Sequence, residues 1–186
     1  MQYTMPARER LVTAEEFARI PDDDQHYELV EGRVVRISPP GSRHGLLATR
    51  IAALLYQHVD AHRLGAVLTP AGFRIATDPD TVREPDVAFV RAERMPSTGV
   101  PDGFWPGPPD LAVEIRSPSD RRAAISAKVR DYLARGVRIV WVVEPKKQTV
   151  TVHRRESPAV TLGMDEEIEA AEILPGFSCA VRRLFE

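Results

Sequence analysis

Two carboxylates and a lysine set out the chemistry available to this chain. Asp86 lies in Arg83-Glu84-Pro85-Asp86-Val87-Ala88-Phe89-Val90, and Glu114 lies in Pro109-Asp110-Leu111-Ala112-Val113-Glu114-Ile115-Arg116. Both stretches read as strands, and each places an acid where a buried side chain is expected. Alternate strand residues share a face, so Asp86, Ala88 and Val90 point one way, while Asp110, Ala112, Glu114 and Arg116 share one face of their own strand. If the strands are neighbours, Asp86 and Glu114 converge. Two carboxylates beside the Ile115 carbonyl then form a hard-oxygen site suited to a magnesium ion that keeps several waters.

A helix must supply the lysine. Ser117-Pro118-Ser119-Asp120 is a start signal and Gly136 a stop signal. At about 100° per residue, Lys128 falls about 40° from Tyr132, inside the apolar arc formed with Ile125, Val129 and Leu133. A lysine on that arc is costly unless an anion receives it, and Asp86 with Glu114 is the available receiver. The other reading is a lysine that snorkels at the edge of an amphipathic helix.

Pro85-Asp86, Val113-Glu114-Ile115-Arg116-Ser117-Pro118-Ser119, Lys128 with Tyr132, Gly136-Val137 and Trp141-Val142-Val143 follow one another at a fairly specific spacing. In this the chain resembles the Uma-two family of restriction-endonuclease-like proteins, within the PD-(D/E)XK nuclease superfamily. The resemblance runs from about Thr13 to Leu184 and takes in Tyr27-Glu28-Leu29-Val30-Glu31-Gly32, Ser38-Pro39-Pro40 and His44. It implies an α/β/α sandwich with a mixed central sheet and hydrolysis of DNA phosphodiester bonds. It also implies magnesium or manganese held by Asp86, Glu114 and Ile115, and a homodimer.

The superfamily usually carries its lysine two residues after the second acid, where this chain has Arg116. Arginine keeps its proton, so Arg116 can hold a phosphate but is a poor activator of water. The resemblance implies that the lysine has moved to the helix as Lys128, with Arg116 the rival position. It further implies an additional acid from the N-terminal part, and both Glu28 and Glu31 remain open. The alternative is a catalytically inactive nucleic-acid or protein-binding module on the nuclease fold, which the acidic balance and Arg116 motivate.

The chain has 186 residues, 43% of them apolar and 28% charged, which fits one domain with a core over about 13–184. It has no apolar run of about 18 residues and no charged-then-apolar leader, so a cytoplasmic protein without membrane contact is expected. A lone Cys179 excludes an internal disulfide and a cysteine-based zinc cage. The net charge of -2 weighs against a basic nucleic-acid footprint. Charge is uneven, however: from Asp110 to Arg138 seven basic residues stand against four acidic ones, and the acidic run Asp165-Glu166-Glu167 lies elsewhere.

Several elements must position these groups. Thr13 and Glu16 form a capping box for a short helix closed by Pro21-Asp22-Asp23-Asp24. Tyr27–Val30 and Arg33–Ile37 flank the two-residue Glu31-Gly32 loop of a hairpin. Ser42–Arg63 is the longest helix, with Leu47, Ile51, Leu54 and Leu55 on its core side and His44 in its first turn, where it can touch phosphate or metal-bound water, cap or simply pack. Ala66–Thr69 and Phe73–Ala76 read as short strands. Arg91–Pro109 reads as a long irregular loop in which Phe104-Trp105 either stacks on a base or covers a core edge. Val137–Glu144 reads as a strand buried on both faces, Thr149–His153 as its edge partner, and Glu167–Ala170 with Glu172–Leu174 as a further hairpin-like pair.

Overall fold

The computed structural model describes residues 10–21, 25–118 and 120–186. Asp22 to Asp24, expected to close the first helix, and Ser119 of the expected helix start lie outside the described residues.

The elements run in the order α1 (Ala14–Phe17), β1 (His26–Val30), β2 (Arg33–Ile37), α2 (Ser42–Ala61), β3 (Gly65–Leu68), β4 (Phe73–Ala76), β5 (Thr81–Arg83) and β6 (Val87–Arg91). After a 3-10 turn at Ala92–Arg94 come β7 (Trp105–Pro106), β8 (Leu111–Ile115), α3 (Arg122–Ala134), β9 (Ile139–Glu144), β10 (Thr149–Arg154) and β11 (Ser157–Leu162). The chain ends with β12 (Glu167–Glu169), β13 (Ser178–Ala180) and α4 (Arg182–Phe185).

The central sheet has six strands in the order β11-β10-β9-β8-β6-β3. It is mixed, because β8 and β9 run parallel while the other pairs are antiparallel. A parallel pair needs a crossover, and α3 supplies it. Strand alternation decides which helix meets which face. Val87, Phe89, Leu111, Val113 and Ile115 pack on one side against Leu47, Ile51, Leu55 and Val59 of α2. Ala88, Val90, Ala112, Val140 and Val142 pack on the other against Val129 and Tyr132 of α3. The architecture is therefore an α/β/α sandwich of the restriction-endonuclease type. A second sheet, β2-β1-β5-β4-β7, adds Phe73, Ile75 and Trp105 to the α3 side.

Local chemistry explains the elements that the pattern made legible. Thr13 and Glu16 form the reciprocal capping box. Glu31 and Gly32 both have positive φ, 49° and 73°, which is the backbone a two-residue hairpin turn demands. Gly136, at φ 104°, lets the chain leave α3.

Several expectations are corrected. Arg83 to Val90 is not one strand: β5 ends at Arg83 and β6 begins at Val87, with Asp86 in the link between them. Thr149–His153 is not an edge, since β10 lies between β9 and β11. Glu172–Leu174 is no strand: the amides of Ile173 and Leu174 both donate to the Ala170 carbonyl, and this turn buries both side chains. The partner of β12 is β13 instead, with Ile168 opposite Cys179. Helix α3 begins at Arg122 without a side-chain cap, because the Asp120 carboxylate accepts from the Ser117 amide 2.7 Å away and closes the preceding turn. The Arg91–Pro109 segment is not wholly irregular, since Trp105 pairs beside Phe73. Trp105 is buried and Phe104 stacks on Phe17, so both rings cover core.

Candidate active site

Val87 pairs with Val113, so Asp86 and Glu114, one residue farther out, stand at the same end of β6 and β8. Glu114 continues the Ala112 series and therefore faces α3. Its Oε1 accepts from the Tyr132 hydroxyl at 2.8 Å, and its Oε2 accepts from Lys128 Nζ at 2.9 Å. The same ammonium lies 2.9 Å from Glu28 Oε1. Tyr132 and Lys128 are one helical turn apart, which is why both reach a single carboxylate.

Glu28 comes from the inward face of β1. Its carboxylate also accepts from Arg83 at 2.7 Å and from the Glu84 amide at 3.1 Å. Arg83 continues to Asp131 on α3, with Nε and a terminal nitrogen at 3.0 and 2.9 Å. A chain of ionic hydrogen bonds thus ties β1, β5, α3 and β8 together around Lys128. Asp86 Oδ2 accepts from the Ile115 amide at 2.6 Å and lies 3.1 Å from His44 Nε2. The first turn of α2 therefore reaches the site from the opposite side.

Burial makes these charges costly, and their neighbours decide the outcome. Burial pushes the Glu114 carboxyl up; Lys128 opposes this, while Asp86 and Glu28 add to it, and the result is about 7. Glu84 is likewise raised, by burial first. Burial also works against the Glu28 carboxylate, but Lys128 and Arg83 outweigh it and hold Glu28 below its ordinary value. Lys128 loses solvation too, yet Glu114 and Glu28 raise its pKa and keep it an ammonium. The hydrogen bond to Asp86 raises His44.

Glu28, Asp86, Glu114, Ile115, Lys128 and His44 line one cleft of ≈ 410 Å³. Glu31 and Arg116 do not join them in the cluster. Glu31 is the exposed first residue of the hairpin turn, 3.8 Å from Arg135. Arg116 pairs with Glu144 and donates to the Asp120 carbonyl at 3.1 Å. Arg83, Glu84 and Tyr132 belong to the site although sequence reasoning gave them no role. Tyr132 had a signal, four residues beyond Lys128 on the same arc; Arg83 had none beyond adjacency to Glu84-Pro85-Asp86.

Does this donor set suit a divalent ion? Among the described residues no three side chains of His, Cys, Asp or Glu are gathered as a ready-made cage. Asp86 and Glu114 nevertheless supply hard oxygens, with Ile115 on the cleft wall. Burial first, and then the neighbouring Asp86 and Glu28, raise Glu114, so a cation placed between the acids relieves charge. Two carboxylates with water completing the shell fit magnesium or manganese.

The family model Uma2, described as "Putative restriction endonuclease", matches residues 14–182. A crystal structure of a "putative nuclease belonging to DUF820" from Anabaena variabilis superposes with a TM-score of 0.82 at 19% identity, covering 94% of this chain and 97% of that one. That likeness establishes the shared fold. No curated protein matches the chain.

Proposed function

The chain belongs to the Uma2 family, and from that premise we propose that it is a divalent-metal-dependent endonuclease hydrolysing DNA phosphodiester bonds. One observation carries the reading: the residues leading into β6, strand β8 and helix α3 bring Asp86, Glu114 and Lys128 into one cleft, where burial, with Asp86 and Glu28 adding to it, pushes Glu114 up to about 7. Such perturbed carboxyls cluster at functional sites.

Asp86, Glu114 and the Ile115 carbonyl would hold the ion. When bound, it supplies a Lewis acid that polarises phosphoryl oxygens and lowers the pKa of water. The other parts come from the chain itself. Lys128 keeps its proton, so it acts as a fixed cation that orients the attacking water and stabilises charge developing on the phosphate. Tyr132 anchors one oxygen of Glu114. The Ile115 amide and His44 hold Asp86 in place, and Glu28 with Arg83 holds Lys128 and α3 in register.

The test is incubation of supercoiled plasmid, linear duplex and branched DNA with magnesium or manganese, using wild type and a folded Asp86→Ala variant. Cleavage by wild type and its loss in the variant supports the proposal. Absence of cleavage on every substrate, or equal cleavage by the variant, removes it.

A non-catalytic binding module has one observation in its favour: Lys128 already spans Glu28 and Glu114. Calorimetric titration with manganese separates the two. The module predicts no specific binding, and the enzyme predicts binding that Glu114→Ala abolishes.

A further inference from the structure

Across a rim formed by His44 and Ser117, the acid cleft adjoins a second concavity of ≈ 470 Å³ with the opposite charge. Its walls carry Arg43 from the first turn of α2, Arg116 after β8, Arg122 from the first turn of α3, and Lys146 and Lys147 from the turn between β9 and β10. Glu144 is the acid among them, and it is taken up by Arg116. Arg43 donates to the Pro145 carbonyl at 3.4 Å. Among the described residues, Arg122, Lys146 and Lys147 are exposed and have no ion-pair partner.

One further observation points to an anionic occupant. Helix α2, 20 residues long, starts at Gly41 with no side-chain cap, and Gly41, Ser42 and Arg43 all line the concavity. Free first-turn amides and the positive end of the helix dipole favour phosphate there.

We infer that this pocket binds a backbone phosphate flanking the one in the acid cleft, so that the nucleic-acid strand passes from Asp86 and Glu114 over the His44/Ser117 rim to the Lys146-Lys147 turn. The inference rests on nucleic acid being the substrate, and it answers a difficulty in that reading. Glu28, Glu84, Asp86 and Glu114 repel a polyanion, and the chain as a whole carries a net charge of -2. Affinity therefore has to come from a local concentration of cations. The groove between α3 and the outer strands extends the same track, sharing Arg116, Arg122 and Lys147 and adding Arg130.

Fluorescence anisotropy of a labelled duplex oligodeoxynucleotide, titrated in EDTA over a salt series, reads binding apart from cleavage. Lys146→Gln with Lys147→Gln should weaken binding roughly ten-fold at moderate salt and reduce the slope of log K against log[salt] by about 1 per lysine. Arg63→Gln with Arg138→Gln removes the same charge beyond the far ends of α2 and β9, and should change neither quantity. Unchanged binding in the lysine pair overturns the inference, and so does an equal loss in both pairs. Lysine-dependent binding without cleavage under any metal would remove the hydrolase and keep the pocket. Metal-dependent cleavage with lysine-independent binding would do the reverse.

Discussion

Strands β6 and β8 end in two ways. At one end Asp110, 1% exposed, accepts from the Arg91 amide at 3.0 Å and from its Nε at 2.9 Å, with Arg94 a further 3.0 Å away. One carboxylate faces two guanidiniums, so its charge is compensated within the fold. At the other end Glu114, 5% exposed, and Glu28, 2% exposed, share the single ammonium of Lys128, while Arg83 divides itself between Glu28 and Asp131. Asp86 and Glu84 bring more negative charge, and burial first, then Asp86 and Glu28, push Glu114 up to about 7 against Lys128. Both ends carry an acid in an apolar strand. Burial alone thus does not separate the two ends; the number of cations around the buried acid does.

Lys128→Met tests the contrast most strongly. Metal-dependent cleavage should fall roughly 10²- to 10³-fold, measured by plasmid nicking. Stability in urea should change far less, because Glu28 keeps Arg83 and the Glu84 amide, and Glu114 keeps Tyr132. Wild-type cleavage by this variant would take Lys128 out of the chemistry. Asp110→Ala should behave conversely, losing about 3 kcal/mol in urea unfolding because the Arg91 amide loses its acceptor and Arg94 its carboxylate, with the cleavage rate per folded molecule retained. A parallel collapse of cleavage would mean that the two ends are not separable.

The smallest effect is a pH slope. The folded Glu114 carboxyl, raised from 4.5 to about 7, makes the native state bind more protons than the unfolded state between those values. Its contribution to stability is fully present below 4.5 and is lost as pH rises through about 7. The slope is at most about 1.4 kcal/mol per pH unit. Urea unfolding in EDTA at about pH 5 and pH 8 should show this decline in wild type and a shallower one in Glu114→Gln. Identical slopes would assign the titration to another group.

Much of the site was legible because its signals are local. Alternation in β8 is enough to turn Glu114 toward α3, and the arc of α3 is enough to turn Lys128 inward; Asp86 precedes β6, and its carboxylate is placed by the Ile115 amide and His44 instead. Strand β11 carried no such signal: Ser157 to Thr161 are exposed, so neither face stands out. The choice between Glu28 and Glu31 was likewise invisible, since both are acids in one hairpin. Arg116 continues the alternation of Glu114 on paper, but the strand stops at Ile115, and the side chain turns to Glu144.

The sequence by itself determined the strand faces, the lysine arc and the turn at Glu31-Gly32, because backbone geometry makes each a property of neighbouring residues. Only the tertiary structure decided that Glu28 enters the cleft, that Arg83 braces it from 55 residues away, and that cations gather beside the acids. Those outcomes depend on which strands pair and in what register, and such long-range pairing leaves no periodic trace in the chain.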